Sequence, residues 1–286
     1  MHKTAFFTMD VESLYDSLIL YNKGNPYNSK YSYEELLKYY IELLDKYNIK
    51  ATFFVTVTSL PICKDILEKA LQNGHEIGLH GLNHRSPMDM TNDEFRESIR
   101  QGKKILENVF NTKVIGYRAP MFGINDERIE ILKEEGFIYD SSDLSFHLAL
   151  KSGGISLDSY TKDATLIHHK DYFYEFSLAK VKAYSGHMPI SGGGYIRLVP
   201  WFVMKYYLLK FFRKTDSYLF YCHPFELCHS ILPKLKNINK REWLYIHAGR
   251  FNYLRKIKRI IQFLKRKKFK IITFSEYIKT KKMQEN

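Results

Sequence analysis

The sequence predicts an α/β fold with a parallel sheet closed, or nearly closed, into a barrel of about seven strands. Three observations predict it. Short apolar runs alternate with longer segments of helical periodicity, the pattern of strands joined by crossover helices. Ionisable residues recur at the carboxyl ends of the apolar runs. Neither an internal repeat nor a low-complexity linker breaks the alternation, so residues 1–286 read as a single domain.

TAFFTMDV (4–11) is an apolar run ending in an acid, as expected of a buried strand with chemistry at its carboxyl end. YSYEELLKYYIELLDKYNI (31–49) spaces its apolar residues as a helix, and ATFFVTV (51–57) returns to strand. PICKDILEKALQNG (61–74) begins with Pro and ends with Gly, which is helix punctuation. HEIGLH (75–80) is the next strand. TNDEFRESIRQGKKILENVF (91–110) opens on a threonine cap and an acidic first turn, both of which favour a helix start. VIGYRAP (114–120) reads as strand, NDERIEILKEEG (125–136) as a capped helix and FIYDSS (137–142) as strand. YFYEFSLA (172–179), the glycine-rich ISGGGY (190–195), an apolar helix around 199–212 and the strand YLFYCHPFE (218–226) follow. A basic C-terminal helix covers about 249–270, and KIITFSEYI (270–278) closes the pattern. The segments 143–170 and 227–248 show no clear period.

Composition narrows the function. Hydrophobic residues at 45% and charged residues at 26% are those of a globular protein with a sizeable core. Aromatics at 15% fit either a ring-binding cleft or an aromatic core. The formal charge of +13 points towards anionic partners, although no nucleic-acid motif accompanies it and no nucleic acid is expected. Three scattered cysteines, Cys63, Cys222 and Cys228, fit reduced thiols better than a disulfide framework. No signal peptide is visible and no run approaches the roughly 18 apolar residues of a membrane span. The expectation is a cytoplasmic protein.

The chemistry concentrates at strand ends. Asp10 and Glu12 follow the first strand, His80 and His84 the third; Arg118 and Pro120, then Asp140, then His223 end later ones. In a parallel barrel those ends share the face on which active sites are built. HEIGLHGLNH (75–84) is not the zinc-protease helix, because position 79 is Leu79 and the second histidine arrives one residue late. His80 and His84 do have the i, i+4 spacing that brings two imidazoles to one ion on a single turn, and a third ligand must come from elsewhere. Ordinary readings exist for each residue alone: Asp10 as a cap, Glu12 as a solvated charge, His223 as a core histidine, and His75 as structural.

Taken together, TMDVES, HGLNH, YRAP and FYCHP resemble, in order, the motifs of the polysaccharide deacetylases, carbohydrate esterase family 4 with its NodB-homology domain. DVE, GHEIGLHGLNH, GYRAP, YDSS, GGGYIR and HPFE look closest to a branch associated with exopolysaccharide gene sets. The resemblance covers residues 4 to about 278 and implies a distorted (β/α) barrel with a divalent metal, usually zinc. It implies Glu12, His80 and His84 as ligands, Asp10 as general base with Arg118 paired to it, and His223 as general acid. Asp140 is assigned to orienting His223 or lining the sugar site. Two departures stand out: Glu12 occupies a position where many members carry aspartate, and Met121 one where many carry an aromatic.

The function so implied is removal of an N-acetyl group from an amino sugar of a surface polysaccharide or its lipid- or nucleotide-linked precursor. Alternatives are a small-amide or formamide hydrolase of the same superfamily and a non-catalytic sugar-binding member. KIKRIIQFLKRKKFK (256–270) mixes cations with apolar residues at helical spacing, so peripheral contact with an anionic membrane is set against a barrel helix with a solvated charged face.

Overall fold

A computed structural model describes residues 3–17, 33–144, 153–184, 186–228 and 239–285. Every residue of strand β1 (Thr4–Val11) is buried, as a parallel strand covered on both faces requires. One edge of β1 pairs with Ser217–Cys222, and the other with β2 (Thr52–Val55) at its carboxyl end and with Lys270–Ile271 at its start. β3 (Glu76–Leu79), β4 (Gly116–Tyr117), Tyr139–Asp140 and Phe173–Phe176 then follow side by side, all parallel. Counting from Ser217–Cys222, seven parallel staves curve in sequence, with the antiparallel strands Ile167–Lys170 and Thr161–Ala164 beyond the last. This is the distorted (β/α) barrel that the sequence predicts.

The gap in the barrel is closed by the glycine-rich segment. Ile190 donates its N–H to the Ala179 carbonyl at 3.0 Å, and Tyr221 donates to the Ser191 carbonyl at 2.8 Å, so residues 190–192 form an irregular stave. Gly192 has φ +153°, and a Cβ there would stand 1.8 Å from the Tyr221 carbonyl oxygen. Only glycine permits that approach.

Between the strands lie the helices Tyr33–Lys46, Leu60–Gln72, Asn92–Phe110, Asp126–Glu134, Trp201–Phe212 and Tyr253–Arg266. Residues 31–32, where the sequence pattern starts the first of these, lie outside the described residues. Thr91 and Glu94 form a reciprocal capping box, and the Asn125 side chain accepts from the Arg128 N–H. The C-terminal segment starts as strand and becomes the helix Phe274–Glu285, a turn of structure that its sequence did not announce.

The aromatic excess goes largely into the core. Phe274 lies 4.2 Å from Phe176, 4.7 Å from Phe6 and 5.1 Å from Tyr139, ring centre to ring centre. Helix Tyr253–Arg266 is shorter than the 249–270 span expected, and it buries Leu254, Ile257, Ile260, Ile261 and Leu264 against this core. Its apolar side is therefore occupied by protein, which removes the anchor that the membrane reading of this helix needs.

Candidate active site

The carboxyl ends of the parallel staves bring Asp10, Glu12, His80, His84, Arg118 and His223 to one buried cluster. Asp10 is the last residue but one of β1 and Glu12 lies two residues further on, so both side chains leave the chain on the same side. His80 follows β3 directly.

The two histidines converge for a reason the spacing does not contain. Residues 80–84 form a loop, not a helical turn. Gly81 at φ +87° and His84 at φ +59° reverse the chain, and the two rings come to lie 5.2 Å apart. The left-handed backbone at His84 is costly for a residue with a side chain and is held by its surroundings.

His84 Nε2 lies 2.5 Å and His80 Nε2 3.2 Å from one oxygen, Glu12 Oε2. That oxygen is buried and has no hydrogen bond of proper geometry. His80 Nδ1 lies 2.8 Å from the Arg118 carbonyl, an acceptor, so Nδ1 carries a proton, and in the neutral ring, the form that ligates a metal, Nε2 presents a lone pair to the carboxylate. Two lone pairs facing each other in a dry site call for a cation between them. One atom from each of Glu12, His80 and His84 lies within 4.8 Å of the others, the only such group among the described residues. Burial pushes the Glu12 carboxyl up, but His84, His80 and His223 outweigh it and hold it well below the usual range. Burial also lowers His84, and Glu12 overcomes it and raises it. The donor set fits a divalent cation with coordination positions left open.

Arg118 is fully buried and almost fully paired. Its Nη1 donates to Asp10 Oδ1 at 2.7 Å and Thr8 Oγ1 at 2.8 Å, its Nε to the Ser141 carbonyl at 2.9 Å and its Nη2 to Ser141 Oγ at 2.8 Å. This fixes Asp10 Oδ1 and leaves Oδ2 facing His223 Nε2 at 3.9 Å. Past Arg118, Met121 and Phe122 both hold left-handed backbone (φ 55° and 56°). One residue past Met121, Phe122 packs edge-on against Tyr221 with ring centres 5.3 Å apart.

His223 sits with Nε2 3.6 Å from Glu12 Oε1 and Nδ1 3.3 Å from Glu226 Oε2. Glu226 also accepts the His223 backbone N–H at 3.0 Å and receives Arg197 Nε at 3.1 Å. Burial alone would lower the His223 pKa, but Glu226, Glu12 and Asp10 hold it up at about 9. Arg197 continues to the Ala248 carbonyl at 2.6 Å, which ties helix Lys240–His247 to the site.

Asp140 does not orient His223, contrary to one of the roles expected of it. Fully buried, it accepts from Ser142 N and Ser142 Oγ, each at 2.8 Å, and shares its surroundings with Glu175. The residue against which His223 leans is Glu226. Glu226 and Arg197 were missing from the sequence-derived site, although HPFE and GGGYIR contain them; the signal was the three-residue step from His223 to Glu226 within one turn. His75 is structural, accepting from the Ala51 N–H at 3.1 Å and meeting Asp45 at 3.2 Å.

Fold and site thus define a (β/α)-barrel protein with a histidine–histidine–carboxylate cluster at the carboxyl ends of its strands. Residues 21–139, under half of the chain, match the family model for polysaccharide deacetylases. Residues 148–279 match a second model, a domain of unknown function designated DUF3473. The first match includes His80, His84 and Arg118, the second Arg197, His223 and Glu226, and neither reaches Asp10 or Glu12. A peptidoglycan deacetylase of Helicobacter pylori is 28% identical over 102 residues, which cover 36% of this chain and 35% of that protein. The chain thus spans about a third of that relative's length. A crystal structure described as a candidate polysaccharide deacetylase from Mycobacterium smegmatis superposes at TM-score 0.62 with 18% identity, over 100% of this chain and 92% of the other. A family 4 pseudoenzyme from Bacillus anthracis superposes at TM-score 0.55 with 14% identity, over 97% of this chain and 66% of the other. At such identities the likeness is one of fold, which does not by itself decide activity.

Proposed function

We propose that this chain is a metal-dependent amide hydrolase that removes N-acetyl groups from amino sugars of a surface polysaccharide or its lipid- or nucleotide-linked precursor. The observation that carries the reading is the convergence of Glu12, His80 and His84, with Asp10–Arg118 and His223–Glu226 beside them. The deacetylase match and the relatives named for peptidoglycan support the substrate class. Asp10 and Glu12 precede the first matched segment and His223 lies in the second, so in this reading both segments work as one catalytic unit.

Glu12, His80 and His84 would hold the cation, zinc by the chemistry of two imidazoles and a carboxylate. When bound, such an ion polarises an acyl oxygen and lowers the pKa of water to about 7. Asp10 accepts the proton of the attacking water, and Arg118 holds its Oδ1 and so aims the carboxylate. The Met121 N–H, on its left-handed turn, is the candidate partner for the acetyl oxygen as charge develops there. His223, supported by Glu226, gives its proton to the leaving nitrogen, so the products are acetate and a free amine.

The test is acetate release from acetylated chito-oligosaccharides and from peptidoglycan, using protein whose metal content has been measured. Release by the wild type and none by metal-free protein is expected. Fully metal-loaded protein that releases no acetate would refute the reading, and turnover of allantoin alone would transfer it to small amides.

A further inference from the structure

Helix Trp201–Phe212 is apolar nearly all round, yet only one side of it is packed. Met204, Leu208, Phe211 and Phe212 are buried, whereas Phe202 and Tyr206, one turn apart on the opposite side, are 75% and 61% exposed. Paired exposed rings on a regular helix mark a surface that something else covers. The surrounding charge indicates what. Apart from the buried Arg197, which pairs with Glu226, residues 176–215 contain six lysines and arginines and no aspartate or glutamate. Lys205 and Lys210 are exposed on the helix itself, and Arg213 just past its end. Neighbouring helix Tyr253–Arg266 adds Arg259, whose guanidinium lies 5.4 Å from the Trp201 ring centre. Lys210 Nζ donates to the Lys182 carbonyl at 2.9 Å, and so fastens a hairpin that carries the fully exposed Tyr184 beyond its strand Lys180–Ala183.

Aromatic rings bordered by cations on the outer side of a packed helix are the composition of an interfacial helix lying on an anionic bilayer. We propose that this face, with Phe202 and Tyr206 as apolar anchors and Lys205, Lys210 and Arg213 around them, docks the protein on an anionic lipid surface. The contact is peripheral, since no described helix is long and apolar enough to cross a membrane. The chain reaches this helix directly from Gly193, which lies against the Tyr221 ring, and Arg197, which holds Glu226. Docking therefore keeps the rim of the site near the lipid headgroups. The docking itself does not rest on the hydrolase reading; its use, to meet a lipid-linked glycan, does.

The test uses the full chain with two kinds of vesicle, phosphatidylcholine alone and phosphatidylcholine with one lipid in three replaced by phosphatidylglycerol. Flotation and the fluorescence of Trp201, in a Trp243→Phe background, report binding. Binding to the anionic vesicles only, weakened by salt and with a blue shift of Trp201, is expected. The double variants Phe202→Ser/Tyr206→Ser and Lys205→Glu/Arg213→Glu should each lose about tenfold or more in vesicle affinity. Their thermal unfolding and their acetate release from a soluble sugar should not change. The proposal falls if the variants bind vesicles as well as the wild type. It falls equally if the protein ignores anionic vesicles at low salt, including the case in which it binds heparin or single-stranded nucleic acid instead. If no variant or wild type releases acetate while the vesicle results hold, docking stands and the hydrolase reading is the one lost.

Discussion

Glu226→Gln isolates the device behind His223. The carboxylate sits at 0% exposure between the His223 ring and the Arg197 guanidinium, itself at 0% exposure. A glutamine keeps the shape and one acceptor oxygen but removes the negative charge that faces the buried Arg197 guanidinium. Breaking one side of a buried pair costs about 3–5 kcal/mol. At about 2 °C per kcal/mol, suitable to a chain of this size, the melting temperature should fall by roughly 6–10 °C. His223 also loses the carboxylate nearest its ring, and with it the support for a protonated, oriented imidazole. Loss of a well-placed proton donor lowers kcat by about 10²-fold or more, with little change in KM. The assay pairs thermal unfolding with kcat and KM for acetate release. A companion variant, Glu226→Leu/Arg197→Met, removes both charges and should regain most of the stability without regaining kcat. If Glu226→Gln keeps wild-type kcat, Glu226 is scaffold alone and the positioning argument is wrong. A variant as stable as the wild type would contradict the buried-charge reasoning.

Other perturbations separate the remaining roles. His84→Ala should strip the cation, and elemental analysis showing one ion per chain in wild type and variant alike would remove His84 from the ligand set. Asp10→Asn should retain the metal and lose about 10²–10⁴-fold in turnover, whereas metal loss in that variant would make Asp10 a ligand. The Asp140–Glu175 pair predicts a pH dependence of stability. Burial pushes both carboxyls up, Asp140 to about 6, so the folded state binds more protons than the unfolded one. Stability from this pair is therefore fullest below about pH 4 and is lost as pH rises through about 6. Glu175→Gln should flatten that slope, and urea midpoints that fall equally steeply in the variant would assign the slope to other groups.

Local chemistry made much of this protein legible. The capping box at Thr91 and Glu94 and the Asn125 cap are readable because a cap needs only neighbours in sequence. The run TAFFTMDV announced a doubly covered strand, and acids and histidines at strand ends announced the face on which they meet. Less legible was how HGLNH achieves its geometry: the spacing suggested a helical turn, and the chain instead reverses at Gly81 and His84. Asp140 illustrates a harder limit. Its position at a strand end matched the others, but the nearest open partners were Ser142 and Glu175 rather than His223.

Periodicity, caps and motif order, then, belonged to the sequence, because each depends on residues a few positions apart. What only the tertiary structure decided depends on which distant residue fills a given space. Arg197 meets Glu226 29 positions away, and Gly192 closes the barrel against Tyr221. The basic C-terminal helix spends its apolar side on the core, while the uniformly apolar helix Trp201–Phe212 keeps two aromatic rings in solvent. The first helix announces its buried side by its amphipathic pattern; the second, apolar nearly all round, does not, and there burial is settled by the surface against which it packs.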